Sequence, residues 1–384
     1  MTYDFDKIIN RRGTLSYKWD SVADGVLPMW VADMDFQTCP AIIEALHKRI
    51  DNGCFGYTLV PDEYYDAVVG WFEKRHGWHI DKEKMIYTSG VVPALSAIIK
   101  ALAEKGDKVI IQTPVYNCFF SSIRNNGCEI LPNPLLKKGD TYEMDFDDLE
   151  RKTADPKAKL LILCNPHNPA GRVWTRDELT RLGEICRKNE VTVISDEIHC
   201  EFVFKGYRYT PFASISEECA ATSVVCISPS KAFNIAGLQI ANIVAPDEDM
   251  RARIDKAINV NEVCDVNPFG VIATIEAYTK GAEWIDQLVE YIHGNYEYMK
   301  EYCARHFPAF PIARLEGTYL VWMDCSSLGL TSELLEQQIE DEVKLRLNAG
   351  SMYGRDGEGY LRWNLACPRA VLADGLDRFR RYIG

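Results

Sequence analysis

Between about residues 84 and 245 the chain alternates short apolar runs with longer amphipathic stretches. This alternation predicts βα units arranged around a mostly parallel sheet. The candidate strands cover residues 85–87, 108–112, 159–164, 191–195, 224–228 and 238–244, and the last of them is compatible with an antiparallel direction. Helices are predicted at 92–105, 175–189 and 247–260. The second of these helices begins with a capping box, in which Thr175 precedes Glu178 by three residues.

The pattern changes after about residue 280. Two long helical stretches at 284–306 and 331–348 accompany short apolar runs near 319–324 and 360–364. The predicted fold class is therefore α/β, with a large domain built on a mostly parallel central sheet and a smaller α+β domain. The expected boundaries are 1–45 for an N-terminal segment that joins the small domain, 46–280 for the large domain and 281–384 for the small C-terminal domain.

Composition narrows the range of partners. The 384 residues are 47% hydrophobic, and the net charge of −13 without a basic run argues against nucleic-acid binding. Thirteen cysteines without a C-x-x-C pair, and an N-terminus without an export signal, predict reduced thiols and a cytoplasmic location. The apolar stretch at 91–103 contains Lys100 and is too short to cross a bilayer, so no membrane partner is expected. His76 and His79 are interpreted as part of a solvated loop, and no metal site is predicted.

Ligands of an open parallel sheet collect beyond the carboxyl ends of its strands, so the residues after each strand are candidate site residues. The first strand is followed by Gly90, Val91 and Val92, where free amides at the start of a helix would receive a phosphate. An ordinary helix N-cap is an equal alternative. The second strand is followed by Tyr116, which is interpreted either as a core side chain or as a ring on which a planar ligand stacks.

The third and fourth strands lead to polar residues. Two Asn-Pro steps within residues 165–171 predict a rigid loop that fixes Asn168 as an amide donor for a phenolic oxygen. The fourth strand ends at Asp196, whose carboxylate is costly to bury without a cation such as a protonated pyridine nitrogen. His199 follows on the same loop. It is interpreted as a partner of a cofactor or of Asp196, and a purely structural histidine is an equal alternative.

The fifth strand leads to Ser228, Ser230 and Lys231. The hydroxyls can hold phosphate oxygens, and a desolvated lysine has a lowered pKa that makes it both a nucleophile and a base. The five loops together offer phosphate donors, a ring for stacking, an oxygen donor, a carboxylate and an amine. Pyridoxal 5'-phosphate needs that set of groups, and it is the predicted cofactor.

Further segments carry a resemblance to a known family. They lie at 18–20, 29–36, 56–57, 90–93, 165–171, 195–199, 228–238 and 362–368, nearly from end to end of the chain. In these segments the chain resembles the fold-type I pyridoxal phosphate enzymes of the aminotransferase class I/II superfamily. Within that superfamily it is similar to the MalY/PatB-type cystathionine β-lyase, or cysteine C–S lyase, branch. The runs Val-Ala-Asp-Met-Asp-Phe at 31–36 and Asp-Glu-Ile-His at 196–199 are the most specific for this branch.

The resemblance implies an aspartate aminotransferase-like fold and a role for each matching residue. Lys231 would be the Schiff-base lysine, Asp196 the partner of the pyridine nitrogen, and Asn168 the holder of the phenolic oxygen. Tyr116 would stack on the ring, and His199 would lie beside it. The residues that would surround the phosphate are Gly90, Val91, Val92, Ser228 and Ser230.

The resemblance also implies substrate contacts and a partner subunit. Arg362 would hold the substrate α-carboxylate in a bidentate fork, a geometry that suits guanidinium. Asp33, Asn168 and Tyr57 would contact the substrate as well. Tyr57 would also reach the phosphate of the neighbouring subunit, which implies a homodimer with a shared active site. Tyr57 and Tyr116 would then assist Lys231 in catalysis.

The implied reaction is an α,β-elimination in sulfur amino acid metabolism. It would cleave cystathionine or a cysteine-type substrate to a thiol, pyruvate and ammonia. Two positions depart from the aminotransferase pattern, since Gln239 stands where a basic phosphate ligand is usual and His199 stands where a tyrosine is common. Both departures fit the lyase branch. The alternatives are a class I/II aminotransferase, which shares every step up to loss of the Cα proton, and a lyase with a second role as a regulatory binding protein.

Overall fold

The computed structural model describes residues 2–261 and 265–384. Its largest sheet has seven strands, here named in chain order as β1 (Met85–Thr88), β2 (Lys108–Ile111), β3 (Glu129–Pro132), β4 (Ala158–Cys164), β5 (Thr192–Asp196), β6 (Ser223–Ile227) and β7 (Ala241–Val244). Their order across the sheet is β1-β7-β6-β5-β4-β2-β3. The pairs from β6 through β3 are parallel, and β7 is antiparallel to both of its neighbours. The mostly parallel α/β sheet that the sequence predicts is therefore confirmed.

The central strands are apolar because helices cover both faces of the sheet. Side chains alternate between the faces, so Val109 and Ile111 of β2 pack in one core while Ile110 packs in the other. The α-helices are Tyr17–Asp20, Pro40–Asp51, Asp62–His76, Val91–Leu102, Asn117–Asn125, Phe146–Thr153, Arg176–Lys188, Glu217–Ala221, Pro229–Ala232, Glu248–Asn259, Pro268–Lys280, Ala282–His306, Ser332–Val343 and Arg369–Ile383. The predicted capping box is present, since Thr175 and Glu178 bond each other's backbone amides.

A second, three-stranded antiparallel sheet contains Leu320–Asp324, Tyr360–Asn364 and Asn348–Ala349. The helix predicted at 331–348 is shorter, because Lys344 adopts a left-handed conformation (φ 57°) and ends it at Val343. The following Leu345–Arg346 instead forms a parallel pair with Leu27–Pro28. This pairing supports the predicted link between the N-terminal segment and the small domain, while the boundaries at residues 45 and 280 stay a prediction. A two-stranded hairpin of Leu136–Lys138 and Thr141–Glu143 completes the strands.

The interpretation of His76 as part of a solvated loop is wrong. His76 is the last residue of the helix Asp62–His76, and its Nε2 lies 2.7 Å from Oε1 of the buried Glu201. Arg75 and the Trp71 indole donate to the same carboxylate at 2.8 Å each. His76, Cys200 and Glu201 lie close enough together to hold a metal ion. The carboxylate oxygens of Glu201 are, however, already occupied by hydrogen bonds to Trp71, Arg75 and His76. No local pattern in the sequence indicates this contact, because 125 residues separate His76 from Glu201.

The cysteines are mostly interior side chains. The structure describes twelve of the thirteen, and all twelve are free thiols. Ten of them are buried, Cys118 is partly buried and Cys54 is exposed. Within the described ranges, no helix combines the length and the apolar character that a membrane span requires.

Candidate active site

A cavity of about 190 Å³ opens at the carboxyl ends of the central strands. The register of the sheet creates it, because Cys164 at the end of β4 pairs with Asp196 at the end of β5, which pairs in turn with Cys226 of β6. Loops that follow adjacent strands therefore meet at one edge of the sheet. The lining residues are Ala32, Gly90, Val91, Val92, Pro93, Tyr116, Cys164, Asn168, Asp196, Ile198, His199, Ser230, Lys231 and Ala236.

Lys231 lies on a single helical turn, Pro229–Ala232, directly after β6. Its Nζ donates a 2.6 Å hydrogen bond to the carbonyl oxygen of Ala32, from the N-terminal segment. Burial lowers the pKa of the amine, and the nearby carboxylate of Asp33 opposes that shift. The lysine is thus held at the cavity in a setting that favours the neutral, nucleophilic form.

Asp196 ends β5 with its side chain buried in the cavity floor. Its Oδ1 accepts a 3.2 Å hydrogen bond from the amide of Ile198. Burial raises the pKa of the carboxyl to about 7, and the neighbouring charge of Glu197 adds to the shift. A cation placed beside this carboxylate would relieve the cost of burying its charge.

His199 lines the same cavity and is 4% exposed. Burial lowers the pKa of its imidazole to about 3, so the ring is neutral. The ring packs edge-on against Tyr319 at a centroid distance of 5.6 Å. Among the described residues, its Nδ1 has no hydrogen-bond partner. Of the two partners that the sequence suggests for His199, a cofactor or Asp196, the second is not bonded to it: Asp196 accepts from Ile198.

Arg362 and Asn168 lie in contact, although 194 residues separate them. Nη1 of Arg362 donates to Oδ1 of Asn168 at 3.1 Å, and Nη2 donates to the carbonyl of Trp30 at 2.7 Å. The guanidinium lies over the ring of Tyr353 at 5.0 Å, and its buried Nε has no partner among the described residues. Arg362 is therefore fixed in place, and its guanidinium still has an N–H group available to bind a ligand.

Gly90, Val91 and Val92 also line the cavity, at the start of the helix Val91–Leu102. Gly90 is the N-cap and has no side chain with which to satisfy the first amides of the helix. These amides and the helix dipole suit an anion such as a phosphate. Ser230 also lines the cavity.

Ser228 has a different place from Ser230. It is absent from the cavity lining and caps the helical turn that carries the lysine. Its Oγ lies 2.7 Å from the carbonyl oxygen of Ile240 and 2.9 Å from Oγ of Ser230. In this arrangement Ser228 orients Ser230.

The aromatic residues predicted at the site divide into two groups. Tyr116 lines the cavity, and burial raises the pKa of its hydroxyl well above the ordinary value. Tyr57 lies between the helices Pro40–Asp51 and Asp62–His76, is 96% exposed, and is not among the cavity residues. Within one chain, the structure brings Tyr116 to Lys231 but leaves Tyr57 at the surface.

Asp33 lies beside the cavity rather than in its lining. Its Oδ2 forms a 2.7 Å ion pair with Nη2 of Arg11. Its backbone carbonyl accepts hydrogen bonds from Nζ of Lys18 at 3.0 Å and from Nδ2 of Asn364 at 2.8 Å. These contacts hold the N-terminal segment beside the cavity, which Ala32 of this segment lines.

Reasoning from the sequence missed several site residues. Ala32 contributes only a carbonyl oxygen, and Tyr319 reaches the same oxygen at 3.3 Å. Cys164 lines the cavity and accepts the amide of Asn168 at 3.3 Å. The run at 31–36 is recognisable in the sequence as a motif. The role of Ala32 within it is not, because a backbone carbonyl that accepts a hydrogen bond leaves no trace in the type of side chain.

The donor set of the cavity fits pyridoxal 5'-phosphate. A buried carboxylate at one wall needs a cation, which the protonated ring nitrogen would provide. The uncapped amides after Gly90 need an anion, and the partnerless Nδ1 of His199 needs a polar group within the cavity. Lys231 supplies the amine that an aldehyde requires.

Comparison with known proteins agrees with this geometry. The model of the family "Aminotransferase class I and II" matches residues 25–379. Cystathionine beta-lyase PatB of Bacillus subtilis is 45% identical over 382 residues, which cover 98% of this chain and 99% of that protein. Among solved structures, pyridoxal 5'-phosphate-containing cystalysin from Treponema denticola superposes with a TM-score of 0.97 at 35% identity, over 100% of this chain and 99% of cystalysin. The C-S lyase from Staphylococcus hominis, also bound to the cofactor, gives a TM-score of 0.93 at 33% identity, with 99% of each chain covered.

Proposed function

This chain belongs to the aminotransferase class I and II family, and from that membership we propose that it is a pyridoxal phosphate-dependent carbon–sulfur β-lyase. The substrate class is cystathionine and related cysteine thioethers, and the products are a thiol, pyruvate and ammonia. One observation carries the proposal, namely that Lys231 and Asp196 line the same cavity. The similarity to cystathionine β-lyase PatB and to the C-S lyases distinguishes this activity within the family.

Each wall of the cavity would hold one part of the cofactor. Lys231 is the residue to which the aldehyde would be joined, and Asp196 would pair with the ring nitrogen. Asn168 and His199 would bond the polar edge of the ring, with Tyr116 stacked on its face. The phosphate would lie on the amides that follow Gly90 and on Ser230, while Ser228 orients that hydroxyl.

Pyridoxal phosphate supplies an electron sink when it is bound, and a protonated ring nitrogen strengthens that sink. Lys231, with its lowered pKa, would take the Cα proton of the substrate on its Nζ. The Cβ–S bond then breaks, and the electron pair of that bond leaves with the sulfur as a thiolate. The three-carbon remainder leaves as aminoacrylate, which water converts to pyruvate and ammonia.

Arg362 would position the substrate by its α-carboxylate. Replacement of Arg362 with lysine is expected to lower kcat/KM by about 100-fold, mainly through KM, because a point charge cannot reproduce a planar fork. Steady-state kinetics on L-cystathionine would measure this change. Arg314, whose side chain is 43% exposed, is a matched control, and Arg314→Lys should leave both constants within about twofold. An Arg362→Lys enzyme with the original KM would rule out the assigned role.

We further propose a homodimer in which Tyr57 completes the site of the partner subunit. The support is an exposed aromatic side chain on a segment that also exposes Phe55 and Leu59. Exposed apolar side chains that cluster in this way are typical of interaction surfaces.

Mixing two inactive variants tests the shared site. Tyr57→Ala and Lys231→Ala are each expected to have little activity, whereas co-refolded mixtures should recover about a quarter of the wild-type activity. In a mixed dimer, one of the two sites would contain both Lys231 and Tyr57. The measurement is pyruvate release after mixing, with sedimentation to confirm dimers. Mixtures that are no more active than the separate variants would show that Tyr57 does not act across subunits.

The experiment that tests the proposed activity is incubation of the holoenzyme with L-cystathionine and no keto-acid acceptor. Pyruvate, ammonia and thiol in equal amounts are expected. An aminotransferase would instead form no thiol and would turn over only with an added keto acid. A role in sulfur amino acid metabolism and a cytoplasmic location complete the proposal, and the free, buried thiols support the latter.

A further inference from the structure

An ion pair of the N-terminal segment stands beside the cavity, and the reaction described above assigns no role to Arg11 and no particular substrate group to Asp33. Nη2 of Arg11 lies 2.7 Å from Oδ2 of Asp33. Both side chains reach solvent, with exposed fractions of 21% and 29%. Arg11 also lies 3.0 Å from Oδ1 of Asp35, whose other oxygen pairs with Lys18, and these two side chains are only 5% and 1% exposed.

The pair is close to the reacting groups. Asp33 follows Ala32, whose carbonyl oxygen holds Nζ of Lys231 at 2.6 Å. The charge of Asp33 is also the largest stabilising electrostatic influence on the ammonium form of Lys231. Arg362 touches the same segment at the carbonyl of Trp30, at 2.7 Å. Residues 30–33 therefore connect the α-carboxylate site, the catalytic amine and the ion pair.

The contact between Arg11 and Asp33 is not what anchors the segment, because Nη1 of Arg11 separately bonds the carbonyl oxygen of Met34 at 2.9 Å and Oδ1 of Asp35 at 3.0 Å. Nζ of Lys18 bonds the buried carboxylate of Asp35 at 2.7 Å, and the indole of Trp19 bonds it at 2.7 Å as well. Asn234, three residues after Lys231, holds both the amide and the carbonyl of Met34. A partly exposed ion pair adds little to the stability of such a framework.

The chemistry of the pair suits a zwitterion. A lone carboxylate would be attracted by Arg11 but repelled by Asp33, and a lone ammonium would meet the opposite arrangement. A group with both charges, such as the α-amino acid head of a second amino acid, can satisfy both side chains at once. Nε of Arg11 and Oδ1 of Asp33 make no hydrogen bond to the described residues and remain for such a ligand.

We propose that Arg11 and Asp33 recognise the distal amino acid head of the substrate, with the carboxylate on Arg11 and the ammonium on Asp33. This inference rests on the proposed lyase function and narrows its substrate class. The preferred substrates are cysteine thioethers whose leaving thiol is itself an amino acid, as in L-cystathionine. Thioethers with a plain alkyl group would lack the second anchor.

The test is the ratio of kcat/KM for L-cystathionine to kcat/KM for S-methyl-L-cysteine. The ratio cancels any effect of Asp33 on Lys231, because that effect is common to both substrates. Arg11→Met and Asp33→Asn are each expected to lower the ratio about 10-fold to 100-fold, the range that loss of a hydrogen bond to a charged group gives. Arg12→Met is the matched control, since Arg12 bonds only backbone carbonyls of residues 19–26 and an exposed carboxylate. It should leave the ratio within about twofold.

Binding without turnover gives a second readout. L,L-2,7-Diaminosuberate has a methylene in place of the sulfur of cystathionine, so it has both heads and no thiolate to expel. As a competitive inhibitor of S-methyl-L-cysteine cleavage, it should lose at least about 10-fold in Ki in Arg11→Met. L-Norleucine, with one head, should keep its Ki. A thermal melt of each holoenzyme would show whether the variant is folded. If Arg11→Met does not fold, Arg11→Lys takes its place in both experiments.

The outcomes separate the two proposals. A ratio and a diaminosuberate Ki that stay within about twofold of wild type in both variants would overturn the role of the pair. Equal losses for the two substrates would also overturn it, because they would show a structural effect only. If the wild-type holoenzyme releases no thiol from either substrate, the lyase function itself is wrong.

Discussion

Replacing Lys231 with alanine is expected to reduce the release of pyruvate from L-cystathionine by at least about 1000-fold, because proton transfer and nucleophilic attack are both lost. Lys231 is the one lysine that lines the cavity among the described residues, so no other ammonium group can take its place there. The measurement is single-turnover and steady-state pyruvate release by the purified variant.

Two controls locate the effect. Lys280→Ala removes a lysine whose side chain is 62% exposed and ion-paired within its own helix, and it should leave the rate unchanged. Borohydride reduction of the wild-type holoenzyme, followed by peptide mapping, should place the cofactor on Lys231 and find no label in Lys231→Ala. A label on another lysine, or an active Lys231→Ala enzyme, would refute the assignment.

The second large effect is expected at Asp196. Asp196→Asn should lower kcat for elimination by about 100-fold to 1000-fold, since an amide cannot hold a proton on the ring nitrogen by charge. The amide keeps nearly the same shape and can still accept the hydrogen bond from Ile198. The change should therefore appear in kcat and in the absorption spectrum of the bound cofactor. An Asp196→Asn enzyme with unaltered kcat would refute the role.

Stability provides the control for this variant. Burial raises the pKa of Asp196 from 3.8 to about 7 in the protein without its cofactor. Well below its unfolded pKa of 3.8, the carboxyl is protonated in both the folded and the unfolded chain. As the pH rises toward 7, the unfolded chain ionises first, so the folded state loses stability until both are ionised. Cofactor-free Asp196→Asn should thus be more stable than its parent at pH 8, by roughly 2–4 kcal/mol, and most of that difference should be gone at pH 4.

The sheet and the residues at its edge were predictable because both leave local signals. Each strand of the centre is an apolar run, and in a parallel sheet the residues that follow such runs must meet at one edge. Lys231, Asp196 and Asn168 could be found in this way, and the resemblance added Arg362. The strand predicted at 238–244 begins only at Ala241, because residues 236–238 form a 3-10 turn that apolar character alone does not reveal.

Long-range partners could not be predicted in the same way. The hydrogen bond between Lys231 and the carbonyl of Ala32 joins residues 199 positions apart and involves no side chain of Ala32. His199 packs against Tyr319, which lies directly before the strand Leu320–Asp324 of the second sheet and 120 residues later in the sequence. Only the folded chain brings such groups together. Tyr57 is a further case, because its predicted target belongs to another subunit.

The burial of the cysteines has a consequence for an enzyme whose product is a thiol. A released thiolate can form a mixed disulfide with any accessible oxidised cysteine of the protein, and protein thiolates can enter the same exchange. Ten of the twelve described cysteines are buried, and burial raises the pKa of each of the ten. These sulfurs stay protonated and out of reach, so the protein is protected against the chemistry of its own product. Cys54 and Cys118 are the two described positions where that protection is incomplete.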